Sequence, residues 1–445
     1  SNATAYGIGL HVYGSYNDIV QKAPILSSGL YGIGIRVDGS SNSLTVADDT
    51  KVSVDGKGGI GVLVSYGKEQ AVKILGSVRA SGYQGDAVRF DFGDNNLGNK
   101  TEYRGSFIRS KFNENQNDFE KLALLPELDG ALVDDFIAGG VIAGHGSAVT
   151  IAKNAYVKNI HIVNGAEIYG DIVSQWDPDN DLLQYQGNDK LVTTITFGEN
   201  FKAGKLGTAD HDFSFSYDGN ITGANSIVLN LLAGNTALNG KYDVRAVNIQ
   251  EDARLEGNAT FNLEGVVNLS SSSLVSTYAL GNTAQGSFTN AGTLSPGGKN
   301  KLGQISINGD YFGLDGSVLE LGYDTVSNDV LKVSYIAELG DVKLSLAPVK
   351  DYYKDNFTRV IALNSLIEAG SLTVNGSLSL NDPAFLSPTL QSATSLNGNE
   401  MTVSVARKAN AYSQYAEDRN SRNLGLALEV ASGNADGSLG EVFKQ

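Results

Sequence analysis

The sequence predicts an all-β chain wound as a parallel β-helix, with loop excursions and a short C-terminal helix. A recurring motif is the first sign. Tyr6-Gly-Ile-Gly-Leu-His-Val-Tyr-Gly14 returns as Tyr31-Gly-Ile-Gly-Ile-Arg-Val-Asp-Gly39, as Gly59-Ile-Gly-Val-Leu-Val-Ser-Tyr-Gly67 and, more loosely, as Gly85-Asp-Ala-Val-Arg-Phe-Asp-Phe-Gly93. Gly7, Gly32, Gly59 and Gly85 are 25, 27 and 26 residues apart, and a fixed period in this range marks stacked units. The second sign is a period of two. Ile33, Ile35 and Val37 alternate with Gly34 and Arg36, followed by Leu44 and Val46, Val52 and Val54, then Ile60, Val62 and Val64, the pattern of half-buried strands. Third, helix signals before residue 405 are confined to Asp118–Leu125 and Leu363–Glu368. About 25 residues carrying two or three short strands make one turn, stacked on the last by backbone hydrogen bonds at about 4.8 Å.

The elements follow in order. Ser1-Asn2-Ala3 (residues 1–3) read as a remnant of cloning, and 4–290 as the rod. Residues 93–146 break the rhythm. Asp94–Lys100 and Lys111–Asp118 are polar, Leu122–Leu128 is short and apolar, and the stretch is expected to be partly helical, with strands resuming near Ala148. A second excursion, 176–190, centres on Asp177-Pro-Asp-Asn-Asp181. A domain boundary near residue 120 is the alternative, but Val149, Ile151, Val157, Ile160 and Ile162 resume the same alternation, which favours one continuous solenoid. Residues 291–407 read as further turns. In 408–445, Tyr412 and Tyr415 lie three apart, and Leu424, Ala427, Leu428 and Ala431 follow helical spacing. Glu417, Asp418, Arg419 and Arg422 supply the polar side.

Composition narrows the function. With 33 Lys and Arg against 49 Asp and Glu, the 445-residue chain carries a net charge of −16, which argues against a nucleic-acid partner bound through a basic field. The absence of Cys rules out disulfides and thiolate metal sites. It also suits a chain that crosses an oxidising compartment unfolded. No apolar run reaches the length of a transmembrane helix.

Candidate chemistry is sparse, and neither a catalytic residue, a cofactor nor a metal is expected. His11 and His161 alternate with apolar neighbours and are expected to point outward; no two of His11, His145, His161 and His211 have metal-ligand spacing. His145-Gly-Ser-Ala-Val149 is similar to the base segment of subtilisin-like enzymes, yet no matching nucleophile segment follows. Gly32-Ile-Gly34 lacks the third glycine of a dinucleotide loop, Val37 standing in its place. Asp177, Asp179 and Asp181 match three calcium-loop positions, but Leu182 and Asn188 replace the Gly and Glu such a loop needs. Asp86 with Asp91, and Asp134 with Asp135, are the carboxylates that a glycan-cleaving enzyme would need side by side. Tyr6, Tyr13, Tyr16, Tyr31 and Tyr66 form a candidate binding face, which either stacks sugars or docks a partner, or packs against a preceding domain.

The C-terminal third resembles a known family. Gly292-Thr-Leu-Ser-Pro-Gly297, Gly303-Gln-Ile-Ser-Ile-Asn-Gly-Asp-Tyr311, Gly316-Ser-Val-Leu-Glu-Leu321 and Asn328-Asp-Val-Leu-Lys-Val333 occur in that order. Pro383-Ala-Phe-Leu-Ser-Pro388, Asn399–Arg407, Asn410–Ala416 and Asn423–Leu428 follow. Together they are similar to the C-terminal passenger region of bacterial autotransporters, over roughly residues 290 to 435. The departure is Gly297-Gly298-Lys299-Asn300, where that family more often has an Asn-Ser-Ile run. The N-terminal repeats resemble the rod of autotransporters whose upstream domain is a subtilisin-like serine protease.

The resemblance implies a right-handed parallel β-helix exported by type V secretion to the bacterial surface. The partners it implies are an upstream effector domain and an outer-membrane β-barrel after residue 445. Residues 291–407 would then assist folding during export, with Leu294, Ile305, Ile307, Tyr311, Leu319, Leu321, Leu331 and Val333 as the folding nucleus. The 408–445 helix would either thread the barrel or cap the rod. On this reading the chain is a non-catalytic stalk; the alternatives are an adhesin for a host surface protein or glycan, or part of a secreted serine protease.

Overall fold

Strand Ile33–Asp38 lies between Ile8–Tyr13 and Ile60–Tyr66, parallel to both. The registers reproduce the sequence period: Ile8 pairs with Ile33, Ile33 with Ile60 and Ile60 with Asp86. In the computed structural model, residues 5–93, 102–187, 190–263, 286–354, 356–381, 389–433, 435 and 437–443 are described. Ser1–Ala3, Asp94–Lys100, Asn188 and Pro383–Pro388, singled out above, lie outside the described residues. The chain is all-β: among the described residues 56% are strand and 7% helix. It divides into two compact units, Ser1–Asn248 with short later pieces and Ile249–Phe261 with Phe288–Gln445 as its main part. The division therefore falls near residue 248 and not near residue 120.

The repeats of the first unit build three ladders of parallel strands, of which the third ends at Ile168. In the first ladder Leu10, Ile35, Val62, Val88, Val149, Ile172 and Ile221 pair in sequence. The second aligns Ile19, Leu44, Val72, Phe136, Ile160, Ile195 and Leu229. The third aligns Ile25, Val52, Val78, Ile142 and Ile168. From Ile35, Leu44 and Val52 onward these columns are buried, and they form the core of the unit. Burying one such aliphatic side chain contributes about 1.5–3 kcal/mol, so the columns supply the main stabilising force.

The alternation slips by one residue at Gly34. Ile33 and Ile60 are half-buried, whereas Gly34 and Ile35 are both buried. The cause is a close approach: a Cβ on Gly34 would sit 2.5 Å from both the Gly61 carbonyl oxygen and Val52. The recurring Gly-Ile-Gly thus marks where the first ladder presses on the third.

The first excursion differs from expectation. Glu102–Gly105, Ile108–Asn113 and Asp118–Lys121 form an antiparallel sheet, so Asp118–Leu125 is not helical. Its strands carry Tyr103, Ile108, Phe112 and Phe119, which read as strand formers. The parallel ladders resume at Val133, not near Ala148: Phe136 pairs with Val72 and Ile142 with Val78. From 176 to 187 the chain is irregular. Glu199–Lys202 and Lys205–Ala209 form a hairpin closed by Ala203 and Gly204, both at positive φ, the geometry of a tight hairpin turn.

In the second unit the same period returns without an obvious sequence repeat. Thr293 pairs with Val318, Gln304 with Val330, Tyr311 with Ala337 and Val318 with Lys343. Leu255, Leu294, Leu319 and Leu344 form one buried column. Expected turns give way to an antiparallel sheet of Phe357–Ala362, Leu390–Asn397 and Glu400–Arg407. Gly398, at φ +59°, closes its hairpin with Asn399. Leu363–Leu366 is helical, and the tail forms Arg419–Gly433 and Gly437–Val442. The expected apolar face of the tail is not the most buried one. Leu424, Ala427 and Ala431 are exposed and Leu428 is half-buried, while Gly425 and Ser432 are buried. Contact runs through the Glu429 carboxylate, which accepts the backbone N–H of Ser413 at 3.0 Å, and through Tyr352, whose hydroxyl donates to the Ser432 carbonyl at 2.7 Å.

Candidate functional site

The outward positions of the first ladder build a cleft of about 860 Å³. Two columns make its floor. His11, Arg36, Leu63 and Arg89 pair in register, one from each of four repeats. Beside them stand Tyr13, Asp38 and Tyr66, also paired in register, with Ser65 and Asp91 next to them. Ile60, Phe92, Gly93 and Arg104 complete the lining. Arg104 comes from the inserted antiparallel sheet, which therefore walls a cleft that the repeats floor.

The charged groups hold one another in fixed orientations. Arg36 donates from Nε to Asp38 Oδ2 at 2.8 Å and from Nη2 to Ser65 Oγ at 3.3 Å. His11 Nε2 lies 2.6 Å from the same Asp38 oxygen. Arg89 donates to Asp91 Oδ2 from Nε at 2.9 Å and Nη2 at 2.7 Å, and to Asp86 Oδ2 from Nη1 at 3.0 Å. Burial alone would lower the Arg89 pKa, but the two carboxylates outweigh it and raise it. Arg104 forms a fork on Glu102, from Nε at 2.9 Å and Nη2 at 3.0 Å. With Arg109 also bound, the Glu102 carboxyl is held down to about 2. Burial, then the Glu127 carboxylate accepting its hydroxyl at 3.0 Å, pushes Tyr66 up to about 12. Asn154 secures the rim, donating to the Gly93 carbonyl at 2.9 Å.

The candidate residues from sequence fall into place as follows. Tyr13 and Tyr66 line the cleft, Tyr6 and Tyr31 stack at 5.4 Å at a separate turn, and Tyr16 belongs to neither group, so the five tyrosines do not form one face. Asp86 and Asp91 are brought together, but both are bound to Arg89 and are not an acid–base pair. Asp135 accepts from His161 at 3.1 Å, and burial lifts Asp134 above the ordinary carboxylate range. His161 does not project freely: it lies buried between Asp135 and Glu199 of the hairpin. His145 meets the Tyr83 ring edge. Asp179 is paired with Lys190, and Asp177 accepts the backbone N–H of Asp179 at 2.9 Å. Leu294, Ile305, Ile307, Tyr311, Leu319, Leu321, Leu331 and Val333 are all buried.

Sequence reading missed Arg36, Asp38, Arg89 and Arg104 as a group. The signal was present, because His11, Arg36, Leu63 and Arg89 hold the same place in the aligned motif. No protein-family model matches the chain, and no curated protein matches its sequence.

Proposed function

We propose that the chain is a right-handed parallel β-helix, the non-catalytic stalk of an autotransporter passenger. It is exported to the bacterial surface and presents an effector domain that lies upstream. Its C-terminal turns assist folding as the chain leaves an outer-membrane β-barrel that lies downstream. The observation that carries this reading is the ladder of parallel registers: Ile35 pairs with Val62 in the first unit and Leu294 with Leu319 in the second. In such a stack each repeat touches only its neighbours, so folding can spread from one end. That property suits a chain emerging through a pore, and the absence of Cys suits passage through an oxidising compartment.

The test uses bacteria expressing the natural gene. An external protease added to intact cells is expected to cut within this chain. Protection that persists until the cells are lysed would overturn the reading. Adhesion to a host surface protein or glycan is a second role, favoured by the cleft and by Tyr13 exposed at its rim.

A further inference from the structure

We propose that the cleft over the first four repeats binds an acidic saccharide. The guanidiniums would hold its anionic group, and the Tyr13 ring would stack on a sugar face. Three of the chain's eleven arginines line this one cleft, on a chain of net charge −16. Their carboxylate partners lie beneath them. The Arg36 side chain is 32% exposed and that of Asp38 5%; Arg89 is 33% exposed and Asp91 13%. What the cleft presents to solvent is therefore N–H, with the negative charge set behind it.

Donors remain to be used. A guanidinium has five N–H groups. Arg36 uses Nε and Nη2, and Arg104 uses Nε and Nη2, so the Nη1 group of each faces no acceptor among the described residues. Because carboxylates already fix these forks, binding orders little further, and planar forks match a carboxylate or sulfate.

The aromatic groups select a sugar over a bare anion. Tyr13 is 84% exposed at the rim, and the Tyr66 and Phe92 rings meet edge to face at 6.1 Å inside. Ring faces beside fixed polar groups suit a pyranose, which is apolar on its faces and polar on its edge. A volume of about 860 Å³ also exceeds what an inorganic ion fills. A long polyanion would meet the acidic surface outside the cleft, so the ligand carries its charge locally. The inference does not rest on export, and either can fail alone.

The test is calorimetric titration of the full chain with 3′-sialyllactose and a hyaluronan hexasaccharide, against lactose, chitohexaose and hexaglutamate. At least one acidic saccharide is expected to bind, with no heat from the neutral sugars and weakening as salt rises. Arg36→Gln and Tyr13→Ala should each weaken binding roughly ten-fold, while Tyr415→Ala, in the other unit and not among the residues lining the cleft, leaves it unchanged. Tyr13 accepts and donates no hydrogen bond among the described residues, so its variant keeps the test decisive if Arg36→Gln misfolds. The proposal is overturned if neither acidic saccharide binds at millimolar concentration, if neutral sugars bind equally, if Tyr13→Ala changes nothing, or if hexaglutamate alone binds.

Discussion

The Asp329 carboxylate accepts the backbone N–H of Gly303 at 2.7 Å and, through its other oxygen, that of Gly322. One buried side chain therefore ties three segments of the second unit, at the start of the strand that carries Leu331 and Val333. Asp329→Ala should cost about 2–3 kcal/mol, since the buried Gly322 N–H and the half-buried Gly303 N–H both lose their acceptor. Chemical denaturation of the full chain would measure it, and an unchanged midpoint would count against the tie.

The same residue sets a pH dependence. Burial outweighs the two backbone bonds and lifts the Asp329 pKa from 3.8 to about 7. The folded state then binds the proton more tightly than the unfolded one, so this contribution is complete below 3.8 and is lost as pH rises through about 7. Protection of the Gly303 and Gly322 amides from hydrogen exchange should fall over that window. Asp329→Asn should remove the slope.

His161 acts with the same sign at another place. Burial would lower its pKa, but Glu199 and then Asp135 outweigh it and hold it above 6.5. The imidazolium clamps the Glu199–Ala209 hairpin to the second ladder. Its contribution is complete below 6.5 and fades as pH rises through the raised value. Hydrogen exchange within the hairpin should quicken on that rise in the natural chain, and show no such step in His161→Gln.

Gly67 lies at φ +104°, and a Cβ there would sit 1.8 Å from the Gly39 carbonyl oxygen. Gly39 stands in the same relation to Gly14. Gly67→Ala should therefore break the turn between the first and second ladders and cost more than about 2 kcal/mol, through strain and a backbone clash together. Lys51→Ala, at an exposed strand position with no side-chain hydrogen bond among the described residues, is the control and should stay close to the natural midpoint.

Leu319 and Ile35 are both fully buried, in different units. Each change to Ala should cost about 2–5 kcal/mol. If the C-terminal turns nucleate folding, Leu319→Ala slows refolding, whereas Ile35→Ala mainly speeds unfolding. Stopped-flow measurements separate the two, and equal refolding rates would remove the nucleus from 291–407.

Much of the first unit was legible because two constraints write themselves into sequence. Close approach demands Gly34, the turns demand Gly39 and Gly67, and the ladders demand aliphatic residues at one offset. The second unit keeps the offset, between Thr293 and Val318 for instance, while its turns use other residues, so self-similarity fades. The hairpin closed by Gly398 and Asn399 was also readable, from a Gly-Asn pair between two alternating runs. The cleft was hidden for a different reason. Arg36, Asp38 and Arg89 come from separate repeats, and Arg104 comes from an insertion whose strands the alternation did not announce.

That insertion enters between Phe90 and Val133, yet Phe136 still meets Val72 and Ile142 still meets Val78. The core columns thus keep their register across a long detour of the chain. Foreign polypeptide grafted at the same corner would reshape the wall that Arg104 supplies to the cleft and leave the aliphatic columns beneath it aligned.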